Sequence, residues 1–274
     1  MPCSSSIKTI LFLLLPLLVS GPARPQPAAL AARYDLRWNG LSAGSMDLAF
    51  ARTAGAYTLD LSFSSGGIVG LFVNAQSTLT AEGRLTDQGL APRQYRFDTY
   101  WGGQHYARHV MFNAAGRVRR VQWDWPDGET PPDRTPVPDR HRRAPDPITI
   151  IAAMMVDQWK LLQTANGSGT ARTTSYDGAR SLAYAIMCKA RIAIDRDMVP
   201  ADRASPCVLQ STLTGGVPRE DIYQGRAPRD RETAELLLAP LDGPALFVPM
   251  AMDISFAGRM VHADLTMLWR PDGS

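Results

Sequence analysis

Tyr34-Asp-Leu-Arg-Trp38, the dipeptide Asn39-Gly40 and Met46-Asp-Leu-Ala-Phe50 decide how this chain is read. Each flank alternates apolar and polar residues, the two-residue period of a half-buried strand, and Asn-Gly accepts the positive φ angles of a tight hairpin turn. The stretch therefore predicts strand, turn, strand, with the apolar set on one face.

Working outward, the same pattern repeats. Tyr57, Leu59, Leu61 and Phe63 keep strict alternation, and Gly66-Gly67 and Gly70 interrupt it. Phe72 to Leu85, Arg93 to Tyr100, Gln104 to Phe112 and Arg117 to Trp125 read as further strands, separated by turn residues at Asp87-Gln-Gly89, Gly102-Gly103 and Asn113 to Gly116. Short strands at such spacing predict an antiparallel meander. Pro126 to Pro147 has no apolar periodicity and is rich in Pro and Arg, which predicts a long, exposed, partly polyproline loop over 126–146. Asp146-Pro147 then opens a helix. Ile148, Ile151, Ala152, Met155, Trp159 and Leu162 give it one apolar face, and Asn166-Gly167 ends it. Strand patterns return over 170–274, closing with a hairpin of Leu246 to Phe256 and Met260 to Trp269. The fold class expected is mainly β: an antiparallel meander forming a strongly curved sheet or barrel, with one amphipathic helix over about 147–164 packed against it.

The first residues carry an address. Lys8 precedes an apolar run from Ile10 to Val19, and Ala29-Leu30-Ala31 has the small-x-small form of a cleavage site. Residues 1–31 read as a secretory signal peptide, and 32–274 as a single β-rich periplasmic domain whose first meander covers 32–125. The run is about half the length that a spanning helix needs, so the exported protein is expected not to span the membrane. Of 274 residues, 45% are hydrophobic and 20% charged. Beyond residue 31, 27 basic side chains face 26 acidic ones, and a net charge of +1 provides no general field for nucleic acid. Cys188 and Cys207 remain after the leader's Cys3, and an even pair in an exported chain favours a disulfide, with two buried free thiols as the alternative.

The motifs that could carry chemistry are weak. Gly40-Leu-Ser42-Ala-Gly44 has the G-x-S-x-G form, yet lies between two strands, where a nucleophile elbow needs a strand-to-helix turn. His105 and His109 face one way on a strand but stand roughly 13 Å apart, and no cluster has zinc-site spacing. Asp124 with Asp127 and Asp195 with Asp197 read as solvated carboxylates. Arg117, Arg119 and Arg120, with Arg140, Arg142 and Arg143, read as a solvated basic tract or a contact for anionic headgroups. No catalytic residue, metal site or cofactor is expected. Aromatic residues are more suggestive: Trp38, Phe63, Phe72, Tyr95, Trp101, Trp123 and Trp159 are either packed core or the lining of an apolar ligand cleft.

In order along the chain, Tyr34-Asp-Leu-x-Trp-x-Gly40, Gly89-Leu-x-Pro92 with Tyr95, Asp146-Pro147, Tyr176-Asp177-Gly178-x-Arg180, a downstream Cys, and Phe247-Val248-Pro249 before Gly258 resemble the bacterial periplasmic domain of unknown function 3108 family. The resemblance implies an exported β-rich domain and transfers no catalytic residue. Ala179-Arg180-Ser181 departs from the more basic, Tyr-containing run associated with the family. The expected function is a non-enzymatic periplasmic module that binds a lipid or other hydrophobic envelope ligand. A second reading is a scaffold whose Pro/Arg-rich loop docks an envelope protein partner, and a third is a hydrolase.

Overall fold

The computed structural model describes residues 28–53, 55–72, 74–126, 131–164, 167–195, 199–220, 232–241, 246–256 and 259–269. The apolar leader run, Cys3, Asp127, Asn166, Asp197 and Gly258 lie outside them.

Seven strands form a first meander: β1 (Ala28–Trp38), β2 (Leu41–Arg52), β3 (Ala56–Ser65), β4 (Ala75–Thr86), β5 (Gly89–Trp101), β6 (Gln104–Phe112) and β7 (Val118–Asp124). A short helix, α1 (Gly67–Gly70), sits between β3 and β4. A 3-10 turn at His141–Arg143 and helix α2 (Pro147–Met155) follow. The second set is β8 (Gly169–Tyr176), β9 (Ser181–Cys188), the two-residue β10 (Ile192–Ala193), β11 (Arg203–Gly215), β12 (Glu232–Leu241), β13 (Leu246–Phe256) and β14 (Arg259–Trp269). All pairings are antiparallel. The order across the sheet is β7-β6-β5-β4-β3-β2-β1-β14-β13-β12-β11-β9-β8, with β10 paired to β11. The two meanders join where β1 pairs with β14, so strands from the two ends of the described chain stand in the middle of the sheet and β7 and β8 form its edges. The sheet curves without hydrogen-bonded closure.

The hairpin that decides the fold is built as its sequence predicts: Asn39 and Gly40 take φ of 50° and 80°, and Trp38 pairs with Leu41. Tyr57, Leu59 and Leu61 point inward with Leu30, Tyr34, Leu48 and Phe50. Gly83 is required by close approach, since a Cβ there would run into the Tyr57 ring and the Ala91 carbonyl.

Four local expectations change. The helix ends at Met155, not near Leu162. Asp157 and Lys160 take φ of 46° and 56°, and the Asp157 carboxylate accepts from the Leu162 and Gln163 amides, so the side chain turns the chain before the apolar pattern runs out. Nor is α2 apolar on one face only. It carries no charge, and Ile148, Ile150, Ala152, Ala153, Met154 and Met155 are all buried, so it fills the inside of the curved sheet. The 131–146 stretch is the largely exposed loop expected, but it is fastened to the body of the protein. Arg134 pairs with Pro218 in an isolated bridge and donates to the Gly216 carbonyl at 2.9 Å, Thr135 exchanges bonds with Val217, and Val137 is buried. Finally, β1 begins at Ala28 and buries Leu30 against the core, inside the stretch that the leader reading assigned to the signal peptide.

Candidate functional site

Two arrangements stand out: the seam where the sheet fails to close, and a trough on its outer face.

At the seam, the β8–β9 turn meets β6 and β7. Arg108 on β6 points inward, 6% exposed, and its guanidinium meets the Asp177 carboxylate at 3.0 Å. It also lies 4.7 Å from the Trp123 ring centre and 5.6 Å from that of Phe97, as expected from the cross-strand row Phe97–Arg108–Trp123. Asp177 shapes the turn as well, accepting from the Ala179 and Arg180 amides and from the Arg180 guanidinium. Burial pushes the Asp177 carboxyl up, but Arg108, Arg180 and the two amides outweigh it and hold it below the ordinary value. Gly178, at φ 90°, brings the turn against Val110 and Val121 at a distance that leaves no room for a Cβ. An ion pair, two rings and a glycine thus join edges that no strand ladder joins.

Beside the seam, Asp146 caps α2. It accepts from the Thr149 amide at 2.8 Å and the Thr149 hydroxyl at 2.7 Å, and Tyr57 shares a 2.7 Å hydrogen bond with that hydroxyl. Burial pushes the Asp146 carboxyl up to about 6, with the Thr149 bonds opposing. Both oxygens are taken by the cap, which marks the group as structural. A cleft of about 260 Å³ opens next to α2, lined by Leu90, Pro92, Arg143, Ile150 and Trp159 among others.

On the outer face, strands β14, β1, β2 and β3 hold a trough of about 420 Å³ lined by Ala31, Ala49, Ser62, Met267 and Trp269. A hollow of about 150 Å³, which shares Ala31, Ala49, Asp60 and Trp269, extends it toward Ala51 and Thr58. Met267 is 57% and Trp269 58% exposed, and the small alanines leave room beside them. Arg33 and Asp47 form a two-point ion pair at 2.6 and 3.1 Å on the trough wall, with Asp60 nearby. A larger cleft of about 610 Å³ over β4 to β7 carries charges of both signs beside Phe97 and Trp123, with Arg96, Asp98, His109, Gln122 and Asp124. There, burial and the neighbouring Arg96 and Arg120 push His109 down.

The aromatic residues predicted as one ligand lining do not line one cleft: Trp123 and Trp159 lie in different ones. Tyr95 is buried core. Trp38, Phe63 and Trp159 pack against the core from separate directions. Trp123 stacks on Arg108, and Trp101 ends β5 in solvent. Phe72 leaves its expected strand altogether: Gly67 at φ 58° turns the chain into α1, β4 starts only at Ala75, and Phe72 is 83% exposed. On the inner face, α2 fills the space beside these residues except for the cleft of about 260 Å³ that Trp159 lines. In the sequence Met267 and Trp269 read only as strand residues. Their signal lay in register, since they face outward opposite Arg33 and Ala31 across a bulge that no single-strand pattern reveals.

The chemical motifs resolve in the same way. Ser42 is the second residue of β2, next to the hairpin turn, with no histidine or carboxylate bonded to it among the described residues. His105 lies between Asp98 and Asp124 at 3.1 and 3.8 Å. His262 bridges Asp253 and Asp264 at 2.7 and 3.0 Å, and its bond to Asp253 leads the effects that push its pKa up. His141 meets the buried Ser181 and Thr214 at 3.2 Å while Arg140 donates to its other nitrogen, which ties the 3-10 turn to the sheet. Among the described residues, no group of three or more His, Cys, Asp or Glu is placed to hold a metal ion, and no helix is long and apolar enough to cross a membrane. Cys188 and Cys207 are directly opposed on β9 and β11 and joined as a disulfide.

A solved structure described as a beta-barrel-like protein of domain of unknown function DUF1849 from Brucella abortus is similar in fold, with a TM-score of 0.50 over 89% of this chain and 98% of that one, at 13% identity. No curated protein matches. The model of the family "Protein of unknown function (DUF3108)" matches residues 33–186, more than half of the chain, and the protein belongs to that family.

Proposed function

We propose that the protein is an exported, non-enzymatic module that binds an apolar or amphipathic envelope ligand in the outer trough of β14, β1, β2 and β3. The observation that carries this reading is the pairing of two exposed, adaptable side chains, Met267 and Trp269, with a floor of alanines in a trough of about 420 Å³. That volume falls in the range of small-molecule sites, and methionine fits ligands of varied shape. The Arg33–Asp47 pair and Asp60 at the wall offer polar partners for a headgroup. The apolar leader run and the Cys188–Cys207 disulfide support export to an oxidising compartment.

Native mass spectrometry of the protein purified from the periplasm, with organic extraction, tests this. A bound mass that extraction removes, and that Met267→Ser/Trp269→Ser abolishes, is expected. A clean polypeptide mass in both forms, together with no binding of a hydrophobic dye, would sink the reading. In the scaffold alternative, the segment that docks a partner is the Pro/Arg-rich one that Arg134, Thr135 and His141 fasten to the body of the protein.

A further inference from the structure

The two most exposed of the large apolar side chains, Leu71 and Phe72, stand with four half-exposed ones at one end of the sheet. Leu71 and Phe72 are more than four-fifths exposed, and Leu41, Ile68, Tyr100 and Trp101 about half. They belong to three neighbouring connections. Leu41 opens β2 after the β1–β2 turn, Ile68 to Phe72 form the α1 loop between β3 and β4, and Tyr100-Trp101 end β5 before its turn into β6. The antiparallel order brings these three connections to the same end. The middle loop is tied on both sides: the Gly66 amide donates to the Ala43 carbonyl at 3.0 Å, and the Gly102 amide to the Asn74 carbonyl at 3.2 Å.

Charge follows the same division. No Asp, Glu, Lys or Arg occurs between Arg37 and Asp47, between Asp60 and Glu82, or between Asp98 and Arg108. Each of these stretches spans one of the tips, and in the third His105 stacks on Tyr100 and lies between Asp98 and Asp124 at the side of the tip. At the tip Leu71 and Phe72 project into solvent, no Asp, Glu, Lys or Arg lies in the three connections, and Tyr100 and Trp101 stand at its side. That combination complements the boundary between headgroups and acyl chains, where aromatic residues settle and charge is costly. A rigid protein partner would need a matching hollow, whereas a fluid phase needs none.

We propose that this end of the sheet docks on a lipid bilayer, with Leu71 and Phe72 entering the acyl boundary and Tyr100 and Trp101 lying at headgroup level. The surface is separate from the ligand trough, because Met267 and Trp269 lie at the far end of β14 from its β13 turn. Flotation with phosphatidylethanolamine/phosphatidylglycerol vesicles tests the proposal. The wild type is expected to float, and Leu71→Ser/Phe72→Ser to lower partitioning on the order of thirtyfold. The double variant should melt as the wild type does, since these two side chains are buried in nothing. Met267→Ser/Trp269→Ser should float unchanged, and 0.5 M salt should alter binding by less than about twofold, because insertion is not electrostatic. Acyl-brominated lipid should quench a fluorescence component that Trp101→Phe removes. Equal flotation of the wild type and the tip variant, or none by the wild type, overturns the proposal. So does a self-associating wild type that the tip variant makes monomeric without any vesicle binding, which would assign the tip to a second copy.

Discussion

Asp177→Asn isolates what holds the seam. Asparagine keeps an Oδ1 acceptor for the Ala179 and Arg180 amides, at 2.9 and 2.7 Å, so the turn survives and the charge alone is lost. The Arg180 contact is half-exposed and worth at most about 1 kcal/mol. Arg108 is different: 6% exposed, it becomes a buried cation without a counter-ion. Breaking such a pair costs about 3–5 kcal/mol, and the two rings that flank the guanidinium return about 1–2 kcal/mol. The expected loss is therefore about 2–4 kcal/mol, measured by urea unfolding followed through tryptophan fluorescence. Because the Asp177 carboxyl is held below its ordinary value of 3.8, its contribution is present above pH 3.8 and lost as pH falls through the lower folded value. The penalty of Asp177→Asn should shrink accordingly in acid. Adding Arg108→Met removes the stranded cation and should restore stability to within about 1 kcal/mol of the wild type. A single variant that loses less than about 1 kcal/mol, or a double variant no better than the single, would refute the ion pair as the closure.

Three further outcomes are expected. Asp146 titrates near 6 in the folded chain against 3.8 unfolded, so its contribution to stability is complete below pH 3.8 and lost as pH rises through about 6. Asp146→Asn should therefore gain on the wild type by about 3 kcal/mol between pH 3.5 and 7, and parallel stability–pH curves would contradict this. A chain that starts at Ala32 loses Leu30 from the core and should fall by about 2–5 kcal/mol. On the export proposed above, intact mass of the processed protein should accordingly place its first residue no later than Ala28. Cys188→Ser/Cys207→Ser removes a link across 19 residues and should cost about 3 kcal/mol in thermal or urea unfolding, with an unchanged midpoint as the contrary result.

The sequence carries the strands because each burial pattern is local. Tyr57, Leu59 and Leu61 alternate, and they alternate in the structure. The α2 cap was equally legible, since Asp146-Pro147 leaves few other options. What stayed hidden depends on partners distant in sequence. Asp157 reads as one more helix residue until its carboxylate is seen bonded to two later amides. Arg134 reads as a solvated loop charge until Gly216 is placed beside it. Arg108 sits mid-strand at a position where alternation predicts an apolar side chain, and only the β8–β9 turn, about seventy residues later, explains it. The trough needed register: the bulge at Arg33/Tyr34 brings Met267 opposite Arg33, on the face away from the core.

The pairing of β1 with β14 also sets a schedule for folding. Every other neighbour in the sheet is reached through a modest stretch of chain, whereas β1 waits for a strand more than two hundred residues away. Closing so long a loop is slow relative to hairpin formation. During synthesis the first meander is complete while its β1 edge still lacks a neighbour, and no intermediate can finish the sheet until β14 has emerged. The sheet is thus kept from its final structure until β14 is available, which makes loss of β14 more damaging than loss of an edge strand such as β7.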